Sequence, residues 1–414
     1  MNMATASLFA ALVRGSRPRS LRVSNRRASP IAFPGSPPRS FSSVLPKSDG
    51  LSVEEEPADP EDDLRSRVFR LRLPKRSATA VLDRWVGEGR TVSASELRQI
   101  AKDLRRSQRY KHALEISEWM KTHREAELSD RDYAMRIDLI TKVFGVNAAE
   151  DFFQGLPSSA KSCEACTALL HSYAAAKLTE KAEKLFERIK ESSLSSSALA
   201  YNEMMTLYIS VGQLDKIFPI VEELKRRKVT PDLFTYNLWI SSYAAILDIS
   251  AARNILDEMA REPNSDKHWI TYMRLADIYL TAGRLVDSDF SLAETDKKIS
   301  QQQWITYDFL IILHASLGNS QMLNEIWKSM RSTSQKMTSR NYICIISSYL
   351  MLERLKEAGE VIDEWRKSKA EEFDISDCDR LFEALKKAGL VDTANKFREL
   401  MLQKDCGLTS SSCC

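Results

Sequence analysis

Five tyrosines recur at a nearly constant interval: Tyr201, Tyr236, Tyr272, Tyr307 and Tyr342, spaced 35, 36, 35 and 35 residues apart. A second row runs seven residues behind, at Tyr208, Tyr243, Tyr279, His314 and Tyr349, and begins one interval earlier at Tyr173. A fixed period of about 20–50 residues is the mark of a stacked-repeat protein. Each repeat is a small piece that buries its apolar face only against its neighbours, so the chain is close to one-dimensional. A stack of this kind offers one long surface. Binding of something extended is therefore the first functional expectation, ahead of pocket chemistry.

Aligning the two rows gives units at 163–197, 198–232, 233–268, 269–303, 304–338 and 339–374, with weaker units at 94–130, 131–162 and 375–409. Each unit reads as two helices. The first carries apolar residues at i, i+3, i+4 and i+7, as in Tyr201, Met204, Met205 and Tyr208. Glycine follows at the fifteenth position in five units (Gly145, Gly212, Gly283, Gly318, Gly389), where its tolerance of positive φ ends a helix. The second helix holds alanine at its twentieth position (Ala113, Ala182, Ala252, Ala358, Ala394), and Met120, Met259, Met330 and Met401 recur seven places on. These residues read as core packing. Pro219 falls inside an expected second helix and should kink it or delay its start. Sustained alternation of period two is missing, which leaves an all-α chain.

The first residues are different material. Residues 1–48 hold seven Arg, one Lys and ten Ser and no acid. That composition points to an organelle transit peptide, with Arg39-Ser40-Phe41-Ser42 resembling a mitochondrial processing site after Phe41. The expected organisation is a transit peptide over 1–41, a disordered acidic linker over 42–63 and a divergent helical cap over 64–93. The repeat array, of about nine units, follows over 94–409 and is clearest at 163–374, with a disordered tail at 410–414. Losing residues 1–41 removes seven Arg and no acid, so the formal charge of +3 becomes −4, with 53 basic against 57 acidic groups. The basic balance therefore belongs to the targeting segment, and any polyanion site has to come from a local basic face. The early apolar run Leu8 to Val13 is too short to span a bilayer, so no membrane insertion is expected.

The catalytic motifs considered are decoys. His123-Arg124-Glu125 and Cys163-Glu164-Ala165-Cys166 match the pieces of a zinc deaminase signature, but the order is wrong and no proline precedes Cys163. The cysteine pair reads more simply as ordinary helix residues. The chain carries no phosphate-binding glycine loop. Its seven cysteines are odd in number and irregularly spaced, which suits a reducing compartment and not a disulfide framework. The expectation is a protein that is not an enzyme, with no cofactor and no metal.

The segment Thr230-Pro231-Asp232-Leu233-Phe234-Thr235-Tyr236-Asn237 closes one unit with Pro-Asp and opens the next with Thr-Tyr-Asn. In this it resembles the pentatricopeptide repeat family of plant organelles, in its plain-repeat class without a catalytic extension. Ala200-Tyr201-Asn202 and Ile305-Thr306-Tyr307-Asp308 are weaker copies. The resemblance implies a right-handed α-solenoid of stacked helix–turn–helix repeats in the mitochondrial matrix. It also implies binding of single-stranded RNA at about one base per repeat. In that family the fifth and last residues of a repeat face the base, and a bulky second residue wedges between bases.

Carried onto this chain, the 198–232 unit offers Asn202 and Asp232, a pair resembling the uracil-reading combination, with Leu199 and Phe234 as flanking wedges. The 163–197 unit offers Thr167 and Ser197, and the 233–268 unit offers Asn237 but ends in His268. Asp308 with Thr338, Met273 with Gln303, Ile343 with Asp374, and Asp379 depart from the familiar pairs. The implied role is RNA processing, stability or translation, on an organellar transcript or ribosomal RNA. The alternative is a scaffold that docks proteins, such as those of the mitochondrial ribosome.

Overall fold

The computed structural model describes residues 63–404 apart from 72–76, 124–127, 192–196, 263–265, 284–294, 333–336 and 369–372, and gives the backbone alone for 295–303. The expected transit peptide, linker residues 42–62 and the tail at 410–414 lie outside the described residues. Every regular element among the described residues is helical, and none of these helices is long and apolar enough to cross a membrane.

The chain divides into two compact units, with the boundary between Leu128 and Ser129. In the first, the described helices are α1 (Leu64–Phe69), α2 (Ala78–Gly87), α3 (Ala94–Arg106) and α4 (Tyr110–His123). The Arg109 guanidinium ties the end of α1 to the start of α4 by donating to the carbonyls of Phe69 at 3.0 Å and Leu71 at 2.6 Å. Trp119 on α4 donates to Asp83 on α2 at 2.7 Å. The expected cap and the first expected repeat thus fold together.

The second unit holds the helix pairs. Its first helices are α5 (Asp130–Phe144), α7 (Cys163–Ala175), α9 (Ala198–Val211) and α11 (Leu233–Ala245). Their second helices are α6 (Val146–Gln154), α8 (Thr179–Glu191), α10 (Ile217–Arg226) and α12 (Ile249–Ala260). The chain continues with α13 (Lys267–Ala282), α14 (Thr295–Ser316) and α15 (Ser320–Arg331). It closes with the pairs α16 (Ser339–Met351) with α17 (Leu355–Lys367), and α18 (Ile375–Lys387) with α19 (Val391–Gln403).

Side-chain capping and backbone reversal set this rhythm. Ser162, Ser197, Asp232 and Asp374 sit at N-caps and accept from backbone N–H groups of the first turn, satisfying donors that the helix itself leaves unpaired. The fifteenth position of the unit is left-handed in eight units. It is glycine at Gly145, Gly212, Gly318 and Gly389, and another residue at Gln108, Lys177, Leu247 and Glu353. The reversal therefore belongs to the repeat geometry, and glycine only makes it cheaper. The exception is Gly283, at φ −76°. Pro219 is the third residue of α10, which begins late behind a 3-10 turn at Leu214–Lys216. At that position the missing N–H costs no intrahelical bond.

The tyrosine rows form the seam between pairs. Tyr201, Tyr236, Tyr272 and Tyr342 are fully buried. Tyr201 meets Phe186 of the preceding second helix edge-on at 5.2 Å, and Tyr342 meets Trp327 of its preceding second helix edge-on at 5.9 Å. In the second row, the Tyr208 hydroxyl donates to Glu183 at 3.0 Å and that of Tyr349 to Asn324 at 2.6 Å. Each partner lies 25 residues earlier, on the preceding second helix.

One unit departs from the expected layout. The first helices stack in the order α5, α7, α9, α11, α14, α16, α18, so α11 packs directly on α14. Helix α13 keeps a first helix's contact with the preceding α12, where Arg253 meets Asp277 at 2.6 Å, but it does not stack beside α11 in the row and lies against α14, α16 and α18. The break expected at residue 303 is missing, because α14 runs without interruption for 22 residues across it. Gly283 lacks the left-handed φ of the other units, and residues 295–303, expected to close the second helix of the unit, continue directly into α14.

The reversal makes a stability prediction. Gly212 has φ +76° and open space around its absent Cβ, so Gly212→Ala should cost about 1 kcal/mol in urea unfolding. Glu353→Gly, at φ 57°, should stabilise by roughly 0.5–1 kcal/mol, since it relieves the same strain against a larger backbone entropy loss.

Candidate nucleic-acid interface

The fifth residue of a unit lies one turn into its first helix, and the last residue caps the first helix of the next unit. Stacking brings the two together. Asn202 on α9 donates through Nδ2 to Oδ1 of Asp232, the cap of α11, at 3.2 Å. The same oxygen accepts from the Thr235 amide at 2.7 Å and the Thr235 hydroxyl at 2.8 Å. The Asn202 amide has only one sensible orientation here, since reversing it would set its oxygen against a carboxylate. That orientation leaves Asn202 Oδ1 buried and without a hydrogen-bond partner among the described residues.

The other expected residues fall as follows. Ser197, exposed, caps α9 by accepting from Leu199 N at 3.2 Å. Thr167 is buried and donates to the Cys163 carbonyl at 2.7 Å. Leu199 is half-buried, whereas Phe234 is 3% exposed. Asn237 and Asp308, the fifth residues of units adjacent in the row, are both buried, and both are met by α13. The Tyr272 hydroxyl donates to Asn237 Oδ1 at 3.1 Å, and the Tyr279 hydroxyl donates to Asp308 Oδ2 at 2.7 Å.

Asp308 anchors a buried polar cluster. Asn341 Nδ2 on α16 donates to both its oxygens, at 2.9 and 2.8 Å, and the Cys344 thiol donates to its carbonyl at 3.3 Å. Burial pushes the Asp308 carboxyl up to about 6, against the opposing pull of Arg340, Asn341 and Tyr279. Burial likewise raises the Tyr279 phenol well above its ordinary value, aided by the Asp308 charge. Asn341 closes a capping box with Thr338, accepting from its backbone N–H at 2.8 Å. Sequence reading passed over Asn341, although Thr-x-x-Asn ahead of an apolar run was a usable signal.

Farther along the row, the His171 ring on α7 lies 3.1 Å from Glu203 on α9. Burial alone would depress this imidazole, but the Glu203 charge and hydrogen bond outweigh it and raise the pKa. The thiols of Cys163 and Cys166 are both pushed up by burial, which disfavours the nucleophilic thiolate. His123, the other part of the zinc decoy, stacks on Trp119 at 4.2 Å and contacts its carbonyl at 3.0 Å.

Comparison with known proteins agrees with this repeat geometry. The PPR repeat family matches residues 196–245, the pentatricopeptide repeat domain residues 162–209, and the PPR repeat residues 234–263. A mitochondrial pentatricopeptide repeat-containing protein of Arabidopsis thaliana is 53% identical over 361 residues, covering 87% of this chain and 88% of its own length. A second mitochondrial one from the same plant is 31% identical over 349 residues, covering 84% and 71%. The chain belongs to the pentatricopeptide repeat family, and it is a mitochondrial member. The crystal structure of a pentatricopeptide repeat protein from maize overlaps 84% of this chain at 17% identity with a TM-score of 0.33, and the chain spans about half, 49%, of its length.

The Asp308 cluster makes a pH prediction. Folded Asp308 keeps its proton to about pH 6, whereas an unfolded aspartate loses it near 3.8. The folded state therefore binds the extra proton in that window. Relative to Asp308→Asn, the wild-type chain should lose on the order of 2–3 kcal/mol of stability as pH rises from about 4 to 6. Urea unfolding of both proteins across that range checks it.

Proposed function

We propose that this protein is a non-enzymatic binder of single-stranded RNA in the mitochondrial matrix, acting in processing, stability or translation of a transcript. The observation that carries the reading is the Asn202–Asp232 contact at 3.2 Å, which joins the fifth and last residues of the 198–232 unit. Asp232 takes the amide's donor side, and the acceptor Oδ1 is left buried and unmatched. An orphaned acceptor of this kind costs about 1–3 kcal/mol. A base that offers an N–H edge, as uracil does at N3, removes that cost when it binds. Leu199, half-buried beside Asn202, supplies apolar contact to the base. Phe234, Thr167, Ser197, Asn237 and Asp308 fill the matching positions of neighbouring units, and the last two first have to lose their bonds to α13.

A second reading, a scaffold for proteins such as those of the mitochondrial ribosome, is favoured by one observation. The charged side chains buried in the first helices are mostly acids: Asp132, Asp138, Glu203, Asp308 and Asp377, against Arg340. Buried negative charge disfavours a phosphate backbone nearby, although Lys142, His171 and Arg380 sit against Asp138, Glu203 and Asp377.

Selection of RNA from a random pool by residues 42–414 separates the two. RNA binding predicts enrichment of U opposite the 198–232 unit, and a loss of roughly tenfold in affinity for Asn202→Ala, on the scale of one good base contact. A pool without enrichment, together with an affinity indifferent to Asn202→Ala, would favour the scaffold.

A further inference from the structure

Helix α13 has the sequence of a first helix but does not stand in the row. It lies across the face of α14, α16 and α18. What it covers is specific. Asn237 and Asp308 are fifth residues, and Arg340 is a second residue, so all three occupy positions at which this family meets bases. Tyr272 reaches the first at 3.1 Å and Tyr279 the second at 2.7 Å. An added Cβ on Gly283 would lie 3.2 Å from Arg340 Cγ, so the end of the segment sits close over that side chain. At its start, His268 Nδ1 is 2.8 Å from the Ser316 carbonyl at the end of α14, and Arg380 on α18 donates to the Ala282 carbonyl at 3.4 Å.

The chemistry of the two phenols matters more than their bulk. A tyrosine seated here is a flat aromatic ring that carries a hydrogen-bond donor on its edge. That donor enters the oxygen of a fifth-position side chain. A nucleobase read by the same residue presents the same features, a planar π-face and an edge N–H. The two phenols occupy units adjacent in the row, because α11 packs directly on α14.

We propose that α13 is an internal base mimic: Tyr272 and Tyr279 hold the base slots of Asn237 and Asp308, and single-stranded RNA competes with this helix for that face. The proposal rests on the RNA-binding reading. RNA then has ready access to the units up to 198–232, and reaches those from 233 onward only as α13 leaves. A short RNA and a long RNA are held differently: the short one binds without disturbing α13, while the long one displaces it.

The test uses the whole chain, oligouridines of about four and about nine nucleotides, and Tyr272→Phe/Tyr279→Phe, which keeps both rings and removes both donors. Hydrogen exchange across 267–282 is followed with and without RNA. Without RNA, the double variant should exchange on the order of tenfold faster in that segment, as two buried hydrogen bonds are lost. It should bind the long RNA on the order of tenfold more tightly than wild type does and the short RNA equally well. In the wild type, the long RNA should accelerate exchange in 267–282 and the short one should not. Tyr279→Phe alone, with its helicity checked by circular dichroism, gives the same readouts in weaker form if the double variant fails to fold. Long RNA that binds while 267–282 stays equally protected, with unchanged affinity in the variants, would overturn the base mimic and leave the RNA reading intact. Failure of every form to bind either RNA would remove both.

Discussion

Each first helix in residues 129–404 has apolar residues to cover on more than one side, and only its neighbours can cover them. The left-handed residue at the fifteenth position turns the chain so that the second helix covers one side and the next pair covers the other. Where that turn is missing, at Gly283, the need for cover remains. Helix α13 still carries Tyr272, Leu275, Ile278, Tyr279 and Leu280, all buried. Burying five such side chains is worth roughly 10 kcal/mol by transfer scales, taken as an upper estimate. The helix finds that cover on the face of the three first helices that follow it, and the row closes behind it by packing α11 on α14.

Much of this was legible in the residues. Two aromatic rows at a fixed interval imply stacked helix pairs, and Tyr201, Tyr236, Tyr272 and Tyr342 are buried. The N-caps at Ser162, Ser197, Asp232 and Asp374 were not read from the sequence, although short polar residues at unit boundaries are their usual mark. The reversal was read only where it was glycine. Lys177, Leu247 and Glu353 adopt the same left-handed conformation without any mark in their chemistry, because the flanking packing imposes it. The displacement of α13 left no sign in its own periodicity. Apolar spacing tells which side of a helix is buried and is silent about what covers it. Tyr279 looks like Tyr208 and Tyr349 in sequence and differs only in its partner.

The polar residues that cap helices of the row are also the ones proposed to meet bases. Asp232 caps α11 and also orients Asn202. Asn341 caps α16 and also holds Asp308. A residue chosen for capping is short, polar and an acceptor, which also describes a residue able to read a base edge. The proposed reading pair, Asn202 and Asp232, is joined by a hydrogen bond, and Asp308 shows what burying a fifth-position carboxyl does. Its carboxyl is buried, and its proton is retained to about pH 6.

The departure of α13 from the row can be measured directly. Tyr208 and Tyr349 bond to the residue 25 places before them. In a regular row Tyr279 would do the same, with Asn254. Double-mutant cycles on unfolding free energy distinguish the two arrangements, one pairing Tyr279→Phe with Asp308→Ala and the other pairing it with Asn254→Ala. A coupling of about 1 kcal/mol to Asp308 and none to Asn254 is expected. Coupling to Asn254 with none to Asp308 would put α13 back in the row and leave Asn237 and Asp308 uncovered.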